Sequence, residues 1–306
     1  MAPANLVAIL ILCRGRCGLS RCISLYLVAI AVTDFLVIVN GCILNRIDRI
    51  YFRNSALSTT PGCKLTTLLI FATRDCSVWL TVAFTFDRFV VIGLHSLKTR
   101  YCTEKSALLV IGMVCSLSCI QNAPFYIIFK PLYYVDGVPW FCVIKSFYYT
   151  VSAWQAFNSL DHILTPILPF LLILLLNTLT VRIILVASRA RRRLRSSENH
   201  GDTEMANRRR SIVLLFAISL SFLLLWVTHV IQFLYVRITG VGYFNSLDFN
   251  DPQYILQETT NMLQILSSCN NIFIYAVTQN KFREELKQVL IYPFTIFIAV
   301  LNRKPQ

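Results

Sequence analysis

Long apolar runs separated by short polar or basic stretches make up most of the chain. A helix needs roughly 20 mostly apolar residues to cross the roughly 30 Å hydrocarbon core of a bilayer. Six segments reach that length: 22–45, 64–94, 106–128, 160–188, 211–238 and 254–278. The last is the most interrupted, by Gln257, Glu258, Asn261, Gln264, Asn270 and Asn271. Number and length, rather than periodicity, set these segments apart from the buried helices of a soluble protein. Ahead of them, Ala2 to Cys13 is apolar but only 12 residues long, a reach of roughly 18 Å at ~1.5 Å per residue. It reads as half of a first helix whose other half is missing. The pattern predicts an all-α membrane protein: a seven-transmembrane helix bundle with a truncated first helix over residues 1–279. Residues 280–290 alternate charged and apolar positions, as an amphipathic helix on the inner leaflet does. Residues 291–306 are a tail whose apolar part, Ile291–Leu301, is too short to span. No secretory signal peptide is read before the first apolar segment.

Basic residues orient the bundle. Arg14, Arg16 and Arg21 follow the first segment, and Lys98, Arg100 and Lys105 the third. Arg189, Arg191, Arg192, Arg193, Arg195, Arg208, Arg209 and Arg210 follow the fifth, within a polar linker 188–211 that contains Gly201. Lys281, Arg283 and Lys287 follow the seventh. Every second loop is basic, so these loops are expected in the cytoplasm, with the C-terminus inside and the N-terminus outside a multi-pass plasma membrane protein.

Composition fits this picture. The chain of 306 residues is 56% hydrophobic and 14% charged, where a soluble domain carries roughly 25% charged residues. Its mean hydropathy is +0.61. The formal net charge of +14 would suggest nucleic acid in a soluble protein, but the charges lie in the cytoplasmic loops, so no nucleic-acid partner is expected. Eleven cysteines show no paired C-x-x-C spacing, so no zinc site is expected.

Two intramembrane features carry chemistry. Asp34 sits in the middle of the second helix, where a carboxylate is expensive and should face the bundle interior. It is either a buried carboxylate satisfied by a hydroxyl, or a cation site or hinge; Asn5, Ser77, Ser267 and Asn271 are candidate partners on other helices. Asp87-Arg88-Phe89 closes the third helix at its basic end, where carboxylate and guanidinium neutralise each other until Arg88 is released.

With these residues in order, the chain resembles rhodopsin-like (class A) G protein-coupled receptors over nearly its whole length. Asn5 and Asp34 match the family's helix-one asparagine and helix-two aspartate, and Cys63, 25 residues before Arg88, the outer-end cysteine of helix three. Asp87-Arg88-Phe89 matches D/E-R-Y, Pro169 the helix-five proline, Phe222 and Trp226 the F-x-x-x-W switch, and Asn271 to Tyr275 the N-P-x-x-Y motif. The chain departs from the pattern at Phe89, Val114, Thr228 and Ile272, and has no cysteine after Cys269. In character it is most like orphan peptide-type receptors, some of whose relatives sense aromatic amino acids, with invertebrate neuropeptide receptors nearby. The resemblance implies a disulfide between Cys63 and Cys142, which an oxidising exterior permits. It implies a switch set of Asp34, Ser77, Phe222, Trp226, Ser267 and Asn271, with no cofactor or metal beyond a sodium ion at Asp34. It implies coupling of Asp87, Arg88, Asn177 and Tyr275 to a heterotrimeric G protein.

Toward the outer ends lie Arg74 and Asp75, Asp161 and His162, His229 and Gln232, and Gln257, Glu258, Asn261 and Gln264. Two readings stand together. Arg74 and Asp75 neutralise Asp161 and Glu258 in a buried network, or these residues line a polar ligand pocket. In the pocket reading Arg74 faces a ligand carboxylate, Asp161 or Glu258 faces an amine, and His229, Gln232, Gln257 and Asn261 complete the wall. The loop 129–157 is rich in rings, including Tyr133, Tyr134, Trp140, Phe141, Phe147, Tyr148, Tyr149 and Trp154, which cap the pocket or sit at the membrane interface. The expected function is transduction of an extracellular peptide or small amino-acid-like ligand to a G protein. A non-signalling decoy and, less readily, a transporter are the alternatives. An enzyme is not expected, since no catalytic triad or phosphate-loop spacing appears.

Overall fold

The computed structural model describes residues 2–52, 54–93, 101–194, 202–239 and 250–301. Among the positions read above, Lys98, Arg100, Arg195, Gly201 and residues 302–306 lie outside it, as do the side chains of Tyr149, Arg191, Arg192, Arg193 and Arg208. Helix one is Ala2–Cys13. Helix two is Arg21–Ile38, prolonged by a π-helical stretch Val39–Ile47 and a last turn Asp48–Tyr51. Helix three is Thr60–Gly93, and helix four is Glu104–Asn122 followed by a turn Phe125–Ile128. Helix five is built from Ser152–His162, a π-helical stretch Ile163–Ile167 and Leu168–Leu194. Helix six is Asp202–Thr239, helix seven Pro252–Thr278 and helix eight Asn280–Leu301. Among the described residues, five spans are long and apolar enough to cross a membrane. Helix seven has the length, at 27 residues, but its polar residues keep it out of that group.

Three boundaries differ from expectation. Helix five begins at Ser152 rather than 160, which places Trp154 and Phe157 on the helix instead of in the loop. Gln155, Asn158, Ser159 and Asp161 break the apolar run there without breaking the helix. Helices five and six each grow into the linker 188–211, leaving 195–201 outside the described residues. Helix eight does not stop at 290: the apolar run to Leu301, too short alone, extends a helix already nucleated, and added residues avoid the nucleation cost.

Helix five bends into π geometry around Pro166, one turn before Pro169, because proline lacks the N–H that an α-helical ladder needs. The core joins the helices in two layers. Ala8, Ile11 and Leu12 of helix one pack with Leu27 and Ile30 of helix two, Leu80 and Phe84 of helix three, and Ile272 and Tyr275 of helix seven. A second cluster, Val78, Val82, Ile173, Phe222, Leu223 and Trp226, ties helices three, five and six. The outward face of helix four leaves Leu108, Leu109, Met113, Leu117 and Ile120 exposed, as a lipid-facing surface requires. Helix eight is held by Phe282, buried with its ring 5.6 Å from that of Tyr275, and by Arg14, 4.0 Å from Glu285. Cys17, in the turn after helix one, is buried beside this contact; burial first, and Glu285 second, push its thiol above the usual range.

At the other end of the bundle two small two-stranded sheets cover helix three. β1 (Phe129–Lys130) pairs antiparallel with β4 (Val143–Ile144), and β2 (Tyr133–Val135) with β3 (Val138–Trp140). The β2–β3 loop is Asp136-Gly137, both at positive φ, the two-residue turn whose twist matches a hairpin. Phe141 donates its N–H to the Ser58 carbonyl at 2.8 Å, and Thr60 Oγ1 donates to the Phe141 carbonyl at 2.7 Å. The expected disulfide joins Cys63 to Cys142, with Cα atoms 5.9 Å apart. Gly62 beside it meets the preceding turn so closely that a Cβ would stand 2.4 Å from the Ala56 carbonyl oxygen. Of the loop rings, Phe147, Tyr148, Trp154 and Phe157 pack with Phe71 and Phe125 into one cluster, while Tyr133 and Tyr134 stay exposed.

The disulfide closes a loop of 79 residues in sequence. Its loss in Cys142→Ser should cost about 2–4 kcal/mol, read as a melting temperature lowered by several degrees in detergent. Gly62→Val should do likewise with the disulfide intact, because its side chain would strike backbone. Unchanged melting in both variants would contradict this account of the helix-three cap.

Candidate functional site

The bundle holds a cavity with about 190 Å³ of water-accessible space. Its wall runs from Asn45 and Arg46 on helix two and Asn261 on helix seven, past Phe71 and Arg74 on helix three, to Asp34, Ser77 and Asn271. The predicted switch residues Asp34, Ser77, Phe222, Trp226, Ser267 and Asn271 all line it. Of the predicted ligand residues, Arg74 and Asn261 line it; Asp161, His229, Gln232, Gln257 and Glu258 do not.

Asp34 is 1% exposed. It accepts hydrogen bonds from Ser77 Oγ at 2.6 Å and from Asn271 Nδ2 at 2.7 Å, so it ties helix two to helices three and seven. The expected partner Ser267 and its neighbour Ser268 line the cavity with it. Asn5 works one step away, donating to the Ser268 carbonyl at 3.0 Å. The Asp34 carboxylate and the Ser77 hydroxyl beside it are oxygen donors, the ligand type that hard cations take.

Phe222 and Trp226 stack at 5.1 Å, and His229 meets the Trp226 ring edge-on at 5.7 Å. The His229 Nδ1 atom is buried without a hydrogen-bond partner. Gln232 is buried a turn further along helix six.

The outer charges pair differently from expectation. Arg74 stands by its own neighbour: its Nε lies 3.5 Å from Asp75 Oδ1, near but without hydrogen-bond geometry, and its guanidinium lies over the Phe71 ring at 5.1 Å. Asp75 turns away from the cavity toward helices four and five. Asn122 Nδ2 donates to it at 2.7 Å and Thr165 Oγ1 at 3.2 Å. Asp161 is also on that side, accepting from Gln121 Nε2 at 3.2 Å. Asp161 therefore belongs to a network between helices three, four and five rather than to the pocket wall. Glu258 is not neutralised by Arg74 either. Arg46 Nη2 reaches Glu258 Oε2 at 2.7 Å, and Asn261 Nδ2 donates to Glu258 Oε1 at 3.2 Å. Arg46 escaped the sequence reading because it stands 12 residues past Asp34, where an apolar helix was expected to end. Arg46 is one of three arginines there, with Arg49 and Arg53, and nothing in their order singles it out.

At the opposite end, Arg88 is 3% exposed and held within its own helix. Its Nε donates to Asp87 Oδ2 at 3.0 Å and its Nη2 binds the same oxygen. Ser211 Oγ lies 3.5 Å from Nη1, and Cys22 Sγ 3.5 Å from Asp87 Oδ1. Asn177 accepts from Ser219 Oγ at 3.1 Å, but its Nδ2 has no partner, and neither has the hydroxyl of the buried Tyr275. The four predicted coupling residues thus share one end of the bundle.

Membrane-length helices around a central cavity of mixed lining, a disulfide-tied cap at one end and a sequestered arginine at the other define a heptahelical receptor. The model of the family "7 transmembrane receptor (rhodopsin family)" matches residues 4–275, and the chain belongs to that family. It is similar to galanin receptor 2a of Danio rerio, 23% identical over 229 residues covering 74% of this chain and 58% of the relative. It is similar to C-X-C chemokine receptor type 1 of Oryctolagus cuniculus, 26% identical over 76% of this chain and 60% of the relative. Tachykinin-like peptides receptor 86C of Drosophila melanogaster is 24% identical over 72% of this chain and 44% of the relative. The chain thus spans about half the length of these curated relatives.

Asn122→Leu removes the shorter donor to a carboxylate that is 1% exposed. It should cost about 1–3 kcal/mol for the group left short of a partner, seen as a lower melting temperature in detergent. Gln121→Leu, facing the less deeply buried Asp161, should cost less; the reverse order would contradict the network described.

Proposed function

We propose that the chain is a G protein-coupled receptor that carries binding of an extracellular peptide to a heterotrimeric G protein. The observation that carries this reading is the cavity that joins Arg74, the Phe222–Trp226 stack and Asp34. The relatives' names mention galanin, a C-X-C chemokine and tachykinin-like peptides, and a peptide is the ligand proposed here. Basic loops on the Arg88 side put that side in the cytoplasm and the disulfide end outside.

A ligand acts only through the difference between its affinities for two states. In the resting state Asp87 holds Arg88. An acidic group of the ligand meets Arg74, whose end faces the cavity, and the ligand body presses on Trp226. The inner ends of helices five and six then move apart, and Arg88 leaves Asp87 for the G protein. Asn177 and Tyr275 have unsatisfied polar atoms in the resting state, so a rearrangement that pairs them recovers free energy. A sodium ion at Asp34, with Ser77, would add positive charge beside the carboxylate and favour the resting arrangement.

Membranes containing the chain and G protein heterotrimers should accelerate nucleotide exchange, without ligand or with galanin, tachykinin peptides or aromatic amino acids as probes. Arg88→Ala should abolish that exchange while the protein still reaches the membrane. Exchange that persists in Arg88→Ala, or ion flux carried by it, would sink the reading. Asp87→Asn should raise basal exchange severalfold. Sodium in place of N-methylglucamine should lower basal exchange in the native protein and not in Asp34→Asn. Arg74→Leu should weaken an active peptide about tenfold, or ~1.4 kcal/mol; unchanged potency would remove Arg74 from the ligand site.

A further inference from the structure

The Arg46–Glu258 ion pair joins helices two and seven beside the cavity, which Arg46 lines. We propose that it is an exchange gate that reads charge, so that the ligand passing it carries an acidic and a basic group close together. The existence of a ligand rests on the receptor reading above; the gate itself does not.

Three observations lead there. Arg46 lines the cavity beside Asn45 and Gly41, and Asn261, which holds Glu258, lines it from the opposite helix. The contact at 2.7 Å therefore has one partner on the cavity wall, Arg46, and the other, Glu258, held behind the wall residue Asn261. Both side chains are 32% exposed, so a solute can reach them, yet each is partly withdrawn from water. Arg46 also lies in the last turn of the nine-residue π-helical stretch Val39–Ile47. π geometry widens the turn, occurs often at functional sites, and here brings Arg46 toward helix seven.

The charge class of the ligand follows from what each alternative leaves behind. A purely anionic group that took Arg46 would strand Glu258, and a purely cationic group that took Glu258 would strand Arg46. An unpaired, partly desolvated charge is costly in both cases. A group bearing both charges exchanges one ion pair for two and strands neither. A peptide with neighbouring acidic and basic residues, or an amino-acid-like terminus, meets that condition. Guanidinium and carboxylate are suited to the exchange because each accepts a bidentate partner. This contact is separate from the deeper one at Arg74.

The test reads entry into the cavity without a G protein and without the natural ligand. Gln264, buried on the cavity wall, is changed to cysteine, and the full chain in membranes is labelled with an anionic or a cationic methanethiosulfonate. The parent chain, with its own free cysteines, gives the background. With the ion pair intact both reagents should label slowly. Glu258→Gln, which leaves Arg46 unpaired, should favour the anionic reagent, and Arg46→Gln the cationic one, each by about tenfold in rate ratio. The swapped pair Arg46→Glu/Glu258→Arg should label slowly with both again, which a merely misfolded chain would not do. Equal rate ratios in the two single variants, or native labelling as fast as theirs, would overturn the gate. Those rates do not depend on coupling, so failure of the receptor reading would leave them unchanged.

Discussion

A carboxylate placed in hydrocarbon must be satisfied from within the protein, and Asp34 fixes how the central helices meet. In lipid no water is available to share the load. Ser77 on helix three and Asn271 on helix seven supply the two short hydrogen bonds, and Asn5 of helix one grips helix seven through the Ser268 carbonyl. Three helices are thereby registered against helix two at one depth. The polarity of helix seven follows from the same constraint. Its asparagines, serines and glutamines make it a poor membrane span by composition, and several of them are turned toward this interior chain of hydrogen bonds and the cavity above it.

The two ends of the bundle are built on opposite terms. The disulfide end is tied by a covalent bond, two small sheets and a glycine that lets backbone meet backbone. Its charges are paired across helices, Arg46 with Glu258, or within the network of Asp75 and Asp161. The Arg88 end holds its principal charge inside one helix, by a neighbour in sequence. Pairing across helices resists their separation. Pairing within one helix does not, so only the 3.5 Å contact of Arg88 with Ser211 ties that charge to helix six.

What the sequence made legible was whatever depends on length or on immediate neighbours. Apolar run length located the helices, and the partners of Asp34 on other helices were readable because a buried carboxylate needs donors and few were on offer. Asp87 with Arg88 was readable because adjacency alone makes the pair. The partners of Asp75 were not: nothing in the order of residues says that Asn122 and Thr165 face it. Nor did it show that Arg74 would keep its adjacent aspartate and leave Glu258 to another arginine. Arg46 was hidden by the π-helical stretch, since an α-helical count places residue faces on a 3.6-residue turn and a wider turn shifts them. The start of helix five was hidden by its own polarity, because a mixed helix resting on a protein cap does not read as a membrane span.

The unsatisfied atoms show where the bundle is able to change. Asp34 sits at full hydrogen-bonding strength, and disturbing it would cost a buried charge its partners. Asn177 Nδ2 on helix five and the Tyr275 hydroxyl on helix seven are buried without partners, as are atoms of Arg74, Asn122, His229 and Gln264. A buried polar group left unpaired costs about 1–3 kcal/mol, so the resting arrangement carries a penalty at several levels of the bundle. A second packing that used these donors would lie only a few kcal/mol away, within reach of what one ligand's differential affinity supplies. Rigidity around Asp34 and incomplete satisfaction at Asn177 and Tyr275 are thus complementary. The first gives the cavity a fixed floor for a ligand to press on, and the second gives the far end somewhere to go.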